Sequence, residues 1–220
     1  MEFKEFSKIP RLSRDMVITE KIDGTNAQIL IFSTHNSYNG EFLPFILHQY
    51  EPHNELGDRF VLLAGSRTRW ITPGKNTDNH GFAGWAYEHR NELLLLGEGR
   101  HYGEWWGKGI QRGYELSEKR FSLFNTSKWT SNYNSGETKE PDSLCIEVPV
   151  CNVVPILFTG IFSTNTVEYI LSDLRTNGSF ASPGFMKPEG VVIYQIAGGY
   201  YFKKTIENDE SPKSLVKEMK

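Results

Sequence analysis

The sequence predicts an α+β fold in which antiparallel sheets carry helices on their outer faces. Short runs of β-branched and aromatic residues recur along the 220 residues, and that composition is typical of strands. Only two stretches, 82–93 and 166–177, have apolar residues at helical spacing. Glycine turn pairs separate some of the strand-like runs, which favours hairpins over long crossover connections.

In the first half of the chain, the strand-like runs lie on either side of turn signals. The predicted strands are 16–19, 27–32, 42–48 and 60–64. Asp23–Gly24 joins the first two, and Asn39–Gly40 predicts a second hairpin turn. A helix follows over 82–93, with four residues on one face: Phe82, Trp85, Ala86 and His89.

The second half is also dominated by strands. They are predicted at 120–125, 144–150, 153–158, 191–194 and 200–203. The polar stretch 126–143 predicts a mobile loop. The stretch 166–177 predicts an amphipathic helix that ends at Gly178. Its apolar face is formed by Val167, Ile170, Leu171 and Leu174. Gly198–Gly199 joins the last two strands as a hairpin, and the charged residues 207–220 predict a short helix or a disordered tail.

Composition narrows the class of protein. The net charge of −3 argues against a general basic field, so a nucleic-acid site would have to be a local patch. Two cysteines do not build a disulfide framework, which favours a reducing, intracellular setting. We expect a cytoplasmic protein (in the host cytoplasm if it is viral), without a signal peptide or a membrane partner, because no apolar run approaches the length of a span. The six histidines lack metal-ligand spacing, so zinc is not supported.

The stretch EKIDGTN, residues 20–26, is the strongest chemical signal. It places Lys21 at the end of a predicted strand, beside a tight turn, with Glu20 and Asp23 as acidic neighbours. That placement suits a nucleophilic lysine. The alternative interpretation is a surface hairpin with a solvated lysine, in which Asp23 only forms the turn.

Five further segments follow in order: SRTR at 66–69, GEWWGKGIQRGY at 103–114, RFSLFN at 120–125, KPEGVVIY at 187–194 and FKKT at 202–205. With EKIDGTN, this series resembles the collinear motifs of the covalent nucleotidyltransferases, and it is most similar to phage-type, nick-sealing RNA ligases. The resemblance covers about residues 16–206. It implies an ATP-grasp-like nucleotidyltransferase fold, a 1–206 adenylation domain and a 207–220 charged tail. Only fifteen residues follow Thr205, so we expect no OB-fold within this sequence.

The resemblance implies three catalytic lysines. Lys21 matches the lysine that attacks the α-phosphate of ATP and carries AMP. Lys203 matches the first lysine of the last motif, whose charge would neutralise phosphate oxygens. The usual spacing there leaves one residue between two lysines, whereas this chain has adjacent lysines followed by Thr205. Lys204 is therefore either a second catalytic lysine or a solvated neighbour.

The resemblance also implies a nucleotide site with a divalent metal. ATP-binding roles match Glu20 at the adenine edge, Asn26 near the phosphates, Arg67 at the nucleotide and the 5′-phosphate, Glu104 at the ribose, Phe124 stacked on adenine, and Glu189. Glu189 and Glu104 are the expected ligands of Mg²⁺ or Mn²⁺. Phe124 has the alternative of a core strand residue, and Asn125 departs from the aspartate common in the family. Trp105 and Trp106 are expected in the core rather than in the site.

The function implied is an ATP-dependent RNA ligase that acts on RNA ends or nicked duplexes. It would form lysyl-AMP, pass AMP to a 5′-phosphate and join that end to a 3′-OH. A small DNA ligase and a stand-alone adenylyltransferase domain are the enzymatic alternatives, and a binding protein that lost the chemistry is the third. The basic groove for nucleic acid is expected near four residues: Arg67, Lys108, Arg112 and Lys203.

Overall fold

The structure, a computed structural model, describes residues 2–34, 42–129 and 148–210. Within these ranges the chain forms two sheets with four short or medium α-helices. The strands are Asp15–Lys21 (β1), Thr25–Ser33 (β2), Ile46–Pro52 (β3), Arg59–Ser66 (β4), Trp70–Ile71 (β5), Gly99–Gly107 (β6), Lys119–Leu123 (β7), Asn152–Val153 (β8), Ile156–Ile161 (β9), Gly190–Gln195 (β10) and Tyr200–Thr205 (β11). The helices are Phe82–Glu88 (α1), Arg90–Leu93 (α2), Thr126–Trp129 (α3) and Thr164–Asn177 (α4). The predicted α+β class is confirmed.

The smaller sheet has four antiparallel strands in the order β11-β10-β1-β9. Helix α4 covers one of its faces with the four apolar residues that the sequence placed together. They pack on strand residues that include Met16, Ile18 and Val191. Ser163 caps the helix by accepting a hydrogen bond from the Thr166 amide at 3.4 Å, and Gly178 ends it as predicted.

The larger sheet has seven strands. Its main path runs β3-β4-β2-β6-β7-β8, and β5 pairs with β4. All pairs are antiparallel except β7 with β8. Its core includes Ile29, Leu62, Phe82, Trp105 and Phe121. Trp105 and Trp106 are both buried, as the sequence analysis expected.

A third, smaller cluster joins the two sheets, and we call it the seam. It contains Ile22 from the turn after β1, Trp106 from β6, and four residues from the connecting segments: Tyr114, Val154, Ala181 and Phe185. Because β1 belongs to one sheet and β2 to the other, the turn between them also lies at this junction. The EKIDGTN stretch is therefore where the two sheets meet.

Several predicted elements need correction. The 42–48 strand is wrong at its start, because Pro44 lacks a ladder donor and Leu43–Phe45 forms a 3-10 turn before β3 begins at Ile46. The 82–93 helix is divided at His89, whose backbone leaves helical geometry. Strand β6 was not predicted, because three glycines obscure its pattern.

Other differences lie in the third quarter of the chain. Residues 126–129 form α3 rather than loop, and Pro155 divides the predicted 153–158 strand into β8 and β9.

The Asn39–Gly40 turn and most of the 126–143 and 144–150 predictions lie outside the described residues. Of the predicted tail, residues 207–210 are described and are not helical. Within the described ranges, no helix is long and apolar enough to cross a membrane.

Candidate active site

The two faces of β1 serve different purposes. Val17, Thr19 and Lys21 line a cavity of about 900 Å³. The alternate residues, Met16 and Ile18, pack into the core under α4. This is the side-chain alternation of a strand, and it aims the lysine of EKIDGTN into the cavity.

Lys21 forms an ion pair with a buried carboxylate. Its Nζ donates a hydrogen bond to Glu189 Oε2 at 2.7 Å. Glu189 directly precedes β10, whose first residue, Gly190, is the register partner of Lys21. The strand pairing therefore brings together two residues that are 168 positions apart in sequence.

Glu104 approaches the same site from the larger sheet. It lies on β6 opposite Asn26 of β2, and both residues line the cavity. Its Oε1 accepts a hydrogen bond from the Gly24 amide at 3.1 Å. Burial raises the pKa of Glu104 to about 7, although the positive charge of Lys21 and the Gly24 amide act in the opposite direction. Glu104 is thus half ionised near neutral pH, and a cation arriving beside it would favour the carboxylate form.

Asp23 does more than form a turn. Its carboxylate Oδ2 accepts a hydrogen bond from Arg112 Nε at 3.0 Å, and its amide donates to the Tyr114 hydroxyl at 2.8 Å. Arg112 also donates from Nη1 to the Lys187 carbonyl at 2.9 Å, two residues before Glu189. The guanidinium of Arg112 therefore joins the turn after β1 to the segment that carries Glu189, and a nucleic-acid groove near Arg112 stays a prediction.

Glu20 also lines the cavity, but its carboxylate is bonded to the segment that follows α4. One carboxylate oxygen accepts from Ser179 Oγ at 2.6 Å, and the other accepts from the amides of Phe180 and Ala181 at 2.8 and 2.9 Å. Burial raises the pKa of this carboxyl, against the effect of its three hydrogen bonds. The carboxylate holds the connection between α4 and β10, so reading an adenine edge with it would require these bonds to be exchanged.

Lys203 and Lys204 lie on opposite faces of β11. Lys203 pairs in register with Val192, which lines the cavity, whereas Lys204 pairs with Val191, which packs under α4. The Lys204 ammonium lies 3.0 Å from Glu168 on α4, and this contact raises its pKa. The geometry supports Lys203 as the residue on the site's face and argues against a catalytic role for Lys204.

Phe124 lines the cavity at the end of β7 and is 36% exposed, so it is not an enclosed core residue. The neighbouring Asn125 accepts hydrogen bonds from Ser127 Oγ at 2.8 Å and from the Lys128 amide at 3.2 Å. Asn125 therefore holds the start of α3. An aspartate oxygen would serve the same purpose, which gives a local reason for the amide in place of a carboxylate.

Arg67 is exposed on the turn after β4 and does not line the cavity. Arg69 bonds to the backbone of the following loop, with its Nη1 3.2 Å from the Thr77 carbonyl. Four of the other predicted site residues, Lys21, Asn26, Glu104 and Phe124, line one cavity together with Glu20. Glu189 joins them through its bond to Lys21, and Arg67 is not among the lining residues. The nucleotide and phosphate contacts of Arg67 stay a prediction.

Sequence reasoning missed the support that Tyr114 gives the site. Its buried ring packs in the seam, its hydroxyl accepts from the Asp23 amide, and its carbonyl accepts from Ser182 Oγ at 2.9 Å. The backbone of Tyr114 has φ of 51°, which is left-handed and uncommon for an aromatic residue. The neighbouring glycines signalled an irregular segment but not this conformation.

The carboxylates fit a divalent cation only if other ligands come with it. Across the described part of the chain, no three His, Cys, Asp or Glu side chains converge as a metal-binding group. Mg²⁺ commonly takes one or two protein carboxylates and completes its shell with water and phosphate oxygens. Glu189 and Glu104, whose charges act on each other beside Lys21, match that pattern.

The model of the family described as RNA ligase matches residues 14–210, which include every site residue discussed above. This chain belongs to the RNA ligase family. Among curated proteins, no sequence matches it.

Solved structures with a similar fold include two variants of the Naegleria gruberi RNA ligase, each with ATP and Mn. An arginine-to-alanine variant is 16% identical with a TM-score of 0.50, covering 94% of this chain and 52% of that chain. A glutamate-to-alanine variant is 17% identical with a TM-score of 0.50, covering 89% and 51%. At this identity the likeness concerns the fold alone. The chain spans about half the length of these RNA ligase structures.

Proposed function

We propose that this chain is an ATP-dependent RNA ligase that forms lysyl-AMP on Lys21, transfers AMP to a 5′-phosphate end and joins that end to a 3′-OH. One observation carries the proposal: the Lys21 amine lies 2.7 Å from Glu189, in a cavity that also contains Glu104. Membership of the RNA ligase family supports it. Residues 1–206 would form the adenylation domain, followed by the charged tail 207–220.

In the first step, the Lys21 nitrogen attacks the α-phosphorus of ATP. A nitrogen–phosphorus bond forms, the bond to the bridging oxygen of the β-phosphate breaks, and pyrophosphate leaves with that electron pair. The nitrogen loses its proton in the process. A divalent cation held by Glu189 and Glu104 would stabilise the charge that develops on the phosphate oxygens.

The remaining residues orient and stabilise the reacting groups. Lys203, on the cavity face of β11, would contribute positive charge to the phosphate oxygens. Asn26 would bind near the phosphates, Glu104 near the ribose, and Phe124 would stack on the adenine ring. Glu20 and Arg112 do not need to touch the nucleotide, since they hold residues 179–181 and Lys187, which precede Glu189 in the chain.

In the second step, an oxygen of the RNA 5′-phosphate attacks the phosphorus of lysyl-AMP, and the Lys21 nitrogen leaves and regains a proton. In the third step, the 3′-hydroxyl attacks the 5′-phosphorus, its proton is released, and AMP leaves. Each step exchanges one bond at phosphorus, so in-line positioning and charge neutralisation carry most of the catalysis.

Adduct formation tests the first step. Incubation with ATP and Mg²⁺ should add the mass of one AMP, and intact-mass spectrometry should show the adduct to be acid-labile and base-stable. Lys21→Ala should abolish it, and Lys21→Arg should also fail because guanidinium stays protonated. Lys204→Ala, on the opposite face of β11, is the matched control and should form the adduct normally. An adduct on Lys21→Ala would refute the proposal.

Sealing assays test the later steps and separate the alternatives. Matched RNA and DNA ends, including pre-adenylated ones, should be joined faster when they are RNA. Equal or faster joining of DNA would favour a small DNA ligase. Adduct formation without any sealing would favour a stand-alone adenylyltransferase domain.

A further inference from the structure

Two tyrosines form a stacked pair on the wall of the cavity. The rings of Tyr194 on β10 and Tyr201 on β11 are 4.5 Å apart between centroids, with an interplanar angle of 30°. Both residues line the cavity that contains Lys21. Tyr201 is nevertheless 67% exposed, so most of its surface is open to a group that enters the cavity.

The pair shares its sheet face with a cation. Along β11, Tyr201 and Lys203 are two residues apart and therefore point to the same side, the side of Val192 and the cavity. Tyr200, Phe202 and Lys204 point to the other side, where Lys204 contacts Glu168 of α4. The cavity side of this edge strand thus presents an exposed aromatic ring followed by an ammonium group.

The pair also lies at a defined distance from the reacting lysine. Lys21 pairs in register with Gly190, and Tyr194 is four residues further along β10, which corresponds to roughly 14 Å at the rise of a strand. Lys203 lies between these two rows. If a phosphate is bound beside Lys21 and Lys203, the nucleoside attached to that phosphate can extend along β10 and β11 towards the tyrosines.

The adenine of ATP has a separate aromatic partner. Phe124 directly follows β7 of the larger sheet and lines the same cavity. The tyrosine pair is on the smaller sheet. The cavity thus has two separate aromatic surfaces, next to different sheets, and the adenine ring needs only one of them.

We propose that Tyr194 and Tyr201 form a stacking platform for the terminal, unpaired base of the RNA strand that carries the 5′-phosphate, with Lys203 towards its phosphate. The inference rests on the proposed function, since it assigns the substrate of that same cavity. Stacking on aromatic side chains, combined with nearby positive charge, is how proteins hold single-stranded nucleic acid. A base inside a continuous duplex has both faces covered, so the platform favours an unpaired end over a nicked duplex.

The test uses a short single-stranded RNA with a 5′-phosphate and 2-aminopurine as its terminal 5′ base. Binding to the wild-type protein should quench 2-aminopurine fluorescence, because the base stacks on a ring. Tyr201→Ala should remove the quenching and weaken binding at least about fivefold, the low end of the effect of losing one base–aromatic stack. Tyr201→Phe should retain both. Tyr200→Ala is the matched control, since Tyr200 is adjacent, 63% exposed and on the other face.

Two further measurements make the result decisive. The same RNA annealed into a nicked duplex should bind the wild type and Tyr201→Ala equally well. The rate and ATP dependence of AMP adduct formation should be unchanged in Tyr201→Ala. Thermal unfolding of each variant checks that the fold is intact, and Tyr201→Leu, which keeps an apolar side chain without a ring, replaces the alanine variant if that variant is unstable.

Three outcomes would overturn the platform. Equal losses in Tyr200→Ala and Tyr201→Ala would mean a general surface effect. If Tyr201→Ala needs a higher ATP concentration to form the adduct, the tyrosine pair binds the adenine of ATP instead. If the fluorescence titration of Tyr201→Ala matches that of the wild type, the RNA base does not stack on Tyr201. If the wild type forms no AMP adduct but still quenches through Tyr201, the ligase function fails while the platform stands.

Discussion

At the scale of single residues, Glu20 and Lys21 show how one strand serves chemistry and architecture at adjacent positions. Both residues line the cavity, but Lys21 bonds to Glu189, whereas the Glu20 carboxylate accepts hydrogen bonds from Ser179, Phe180 and Ala181. A carboxylate next to a nucleophile in sequence would be expected to take part directly in the reaction. Its three bonds instead indicate that it fixes the segment that leads to Glu189.

The stability of the protein should depend on Glu20 in a pH-sensitive way. Glu20→Ala would leave two buried amides and a hydroxyl without their acceptor, so we expect a loss of about 3 kcal/mol in the free energy of unfolding, at ~1–3 kcal/mol for each such group. Glu20→Gln should cost less, since its amide can accept from the backbone and donate to Ser179. Urea unfolding followed by circular dichroism measures both effects.

The sign of the pH effect follows from the direction of the pKa. Burial raises the folded-state pKa of Glu20 above its ordinary 4.5. The folded state therefore favours the protonated form, and this contribution to stability is complete below the unfolded pKa and is lost as pH rises through the folded one. The unfolding free energy of wild type minus that of Glu20→Gln should therefore fall as the pH rises above the ordinary pKa of 4.5. A constant or rising difference would contradict the assignment.

At the scale of elements, the turn between β1 and β2 depends on close contact with β6. A Cβ on Gly24 would lie 2.5 Å from the Trp105 carbonyl and 2.7 Å from the Trp106 Cβ. The glycine lets the turn approach β6 closely enough for its amide to bond to Glu104. The Asp-Gly pair that predicted the turn is thus also what brings Lys21 and Glu104 to the same cavity.

Gly24→Ala should therefore separate the turn from β6. We expect lower stability, by about 1–3 kcal/mol as for other overpacked sites, and much slower AMP adduct formation. Gly84→Ala is the matched control in α1, where the nearest atom to an added Cβ is Asp78 Oδ2 at 3.6 Å, an ordinary contact. It should raise the stability by up to ~1 kcal/mol, since alanine favours helix. Melting curves and adduct rates that are alike in the two variants would refute this.

Elements with a strong local pattern could be predicted from the sequence, and those shaped by glycine or proline could not. The α4 helix has four core residues at helical spacing and a glycine stop, and its prediction is confirmed within two residues at its start. Strand β6 was missed because Gly99, Gly103 and Gly107 interrupt its alternation, although its neighbours on both sides hold it in the sheet. Pairing across a sheet stabilises such a strand, and no local pattern records it.

At the scale of the whole molecule, Arg112 connects the two halves of the site. It bonds to Asp23, in the turn that joins the sheets, and to Lys187, two residues before Glu189. Arg112→Ala should slow AMP adduct formation about tenfold, ~1.4 kcal/mol at the barrier, because the segment carrying Glu189 loses its anchor. RNA affinity should change little, since the guanidinium is already engaged.

Two variants sharpen that measurement. Arg112→Lys should not restore the rate, because one ammonium lacks the planar fork that bonds to both partners. Lys108→Ala, an exposed basic residue on the same segment, should form the adduct at the wild-type rate. Loss of RNA affinity in Arg112→Ala with an unchanged adduct rate would instead return Arg112 to a nucleic-acid groove.

The sequence predicts which residues form the site more readily than it predicts how their side chains are arranged in space. The motif series named Lys21, Glu104 and Glu189; the fold places the first two on the wall of one cavity and bonds the third to Lys21. It did not distinguish Lys203 from Lys204, because that difference depends on the register of β11 against β10. Long-range contacts such as Asp23 with Tyr114 and Arg112 leave no local trace in the sequence, since the partners lie about 90 positions apart.

The division of the cavity between two sheets has a mechanical consequence. Lys21 and Glu189 belong to the smaller sheet and its flanks, and the pairing of β1 with β10 holds their contact. Glu104 and Asn26 belong to the larger sheet. A small rotation of one sheet against the other about the seam would change the gap between the lysine and Glu104 while leaving the Lys21–Glu189 contact intact. The separation between the Lys21 amine and the Glu104 carboxylate therefore depends on how the two sheets are packed against each other at the seam.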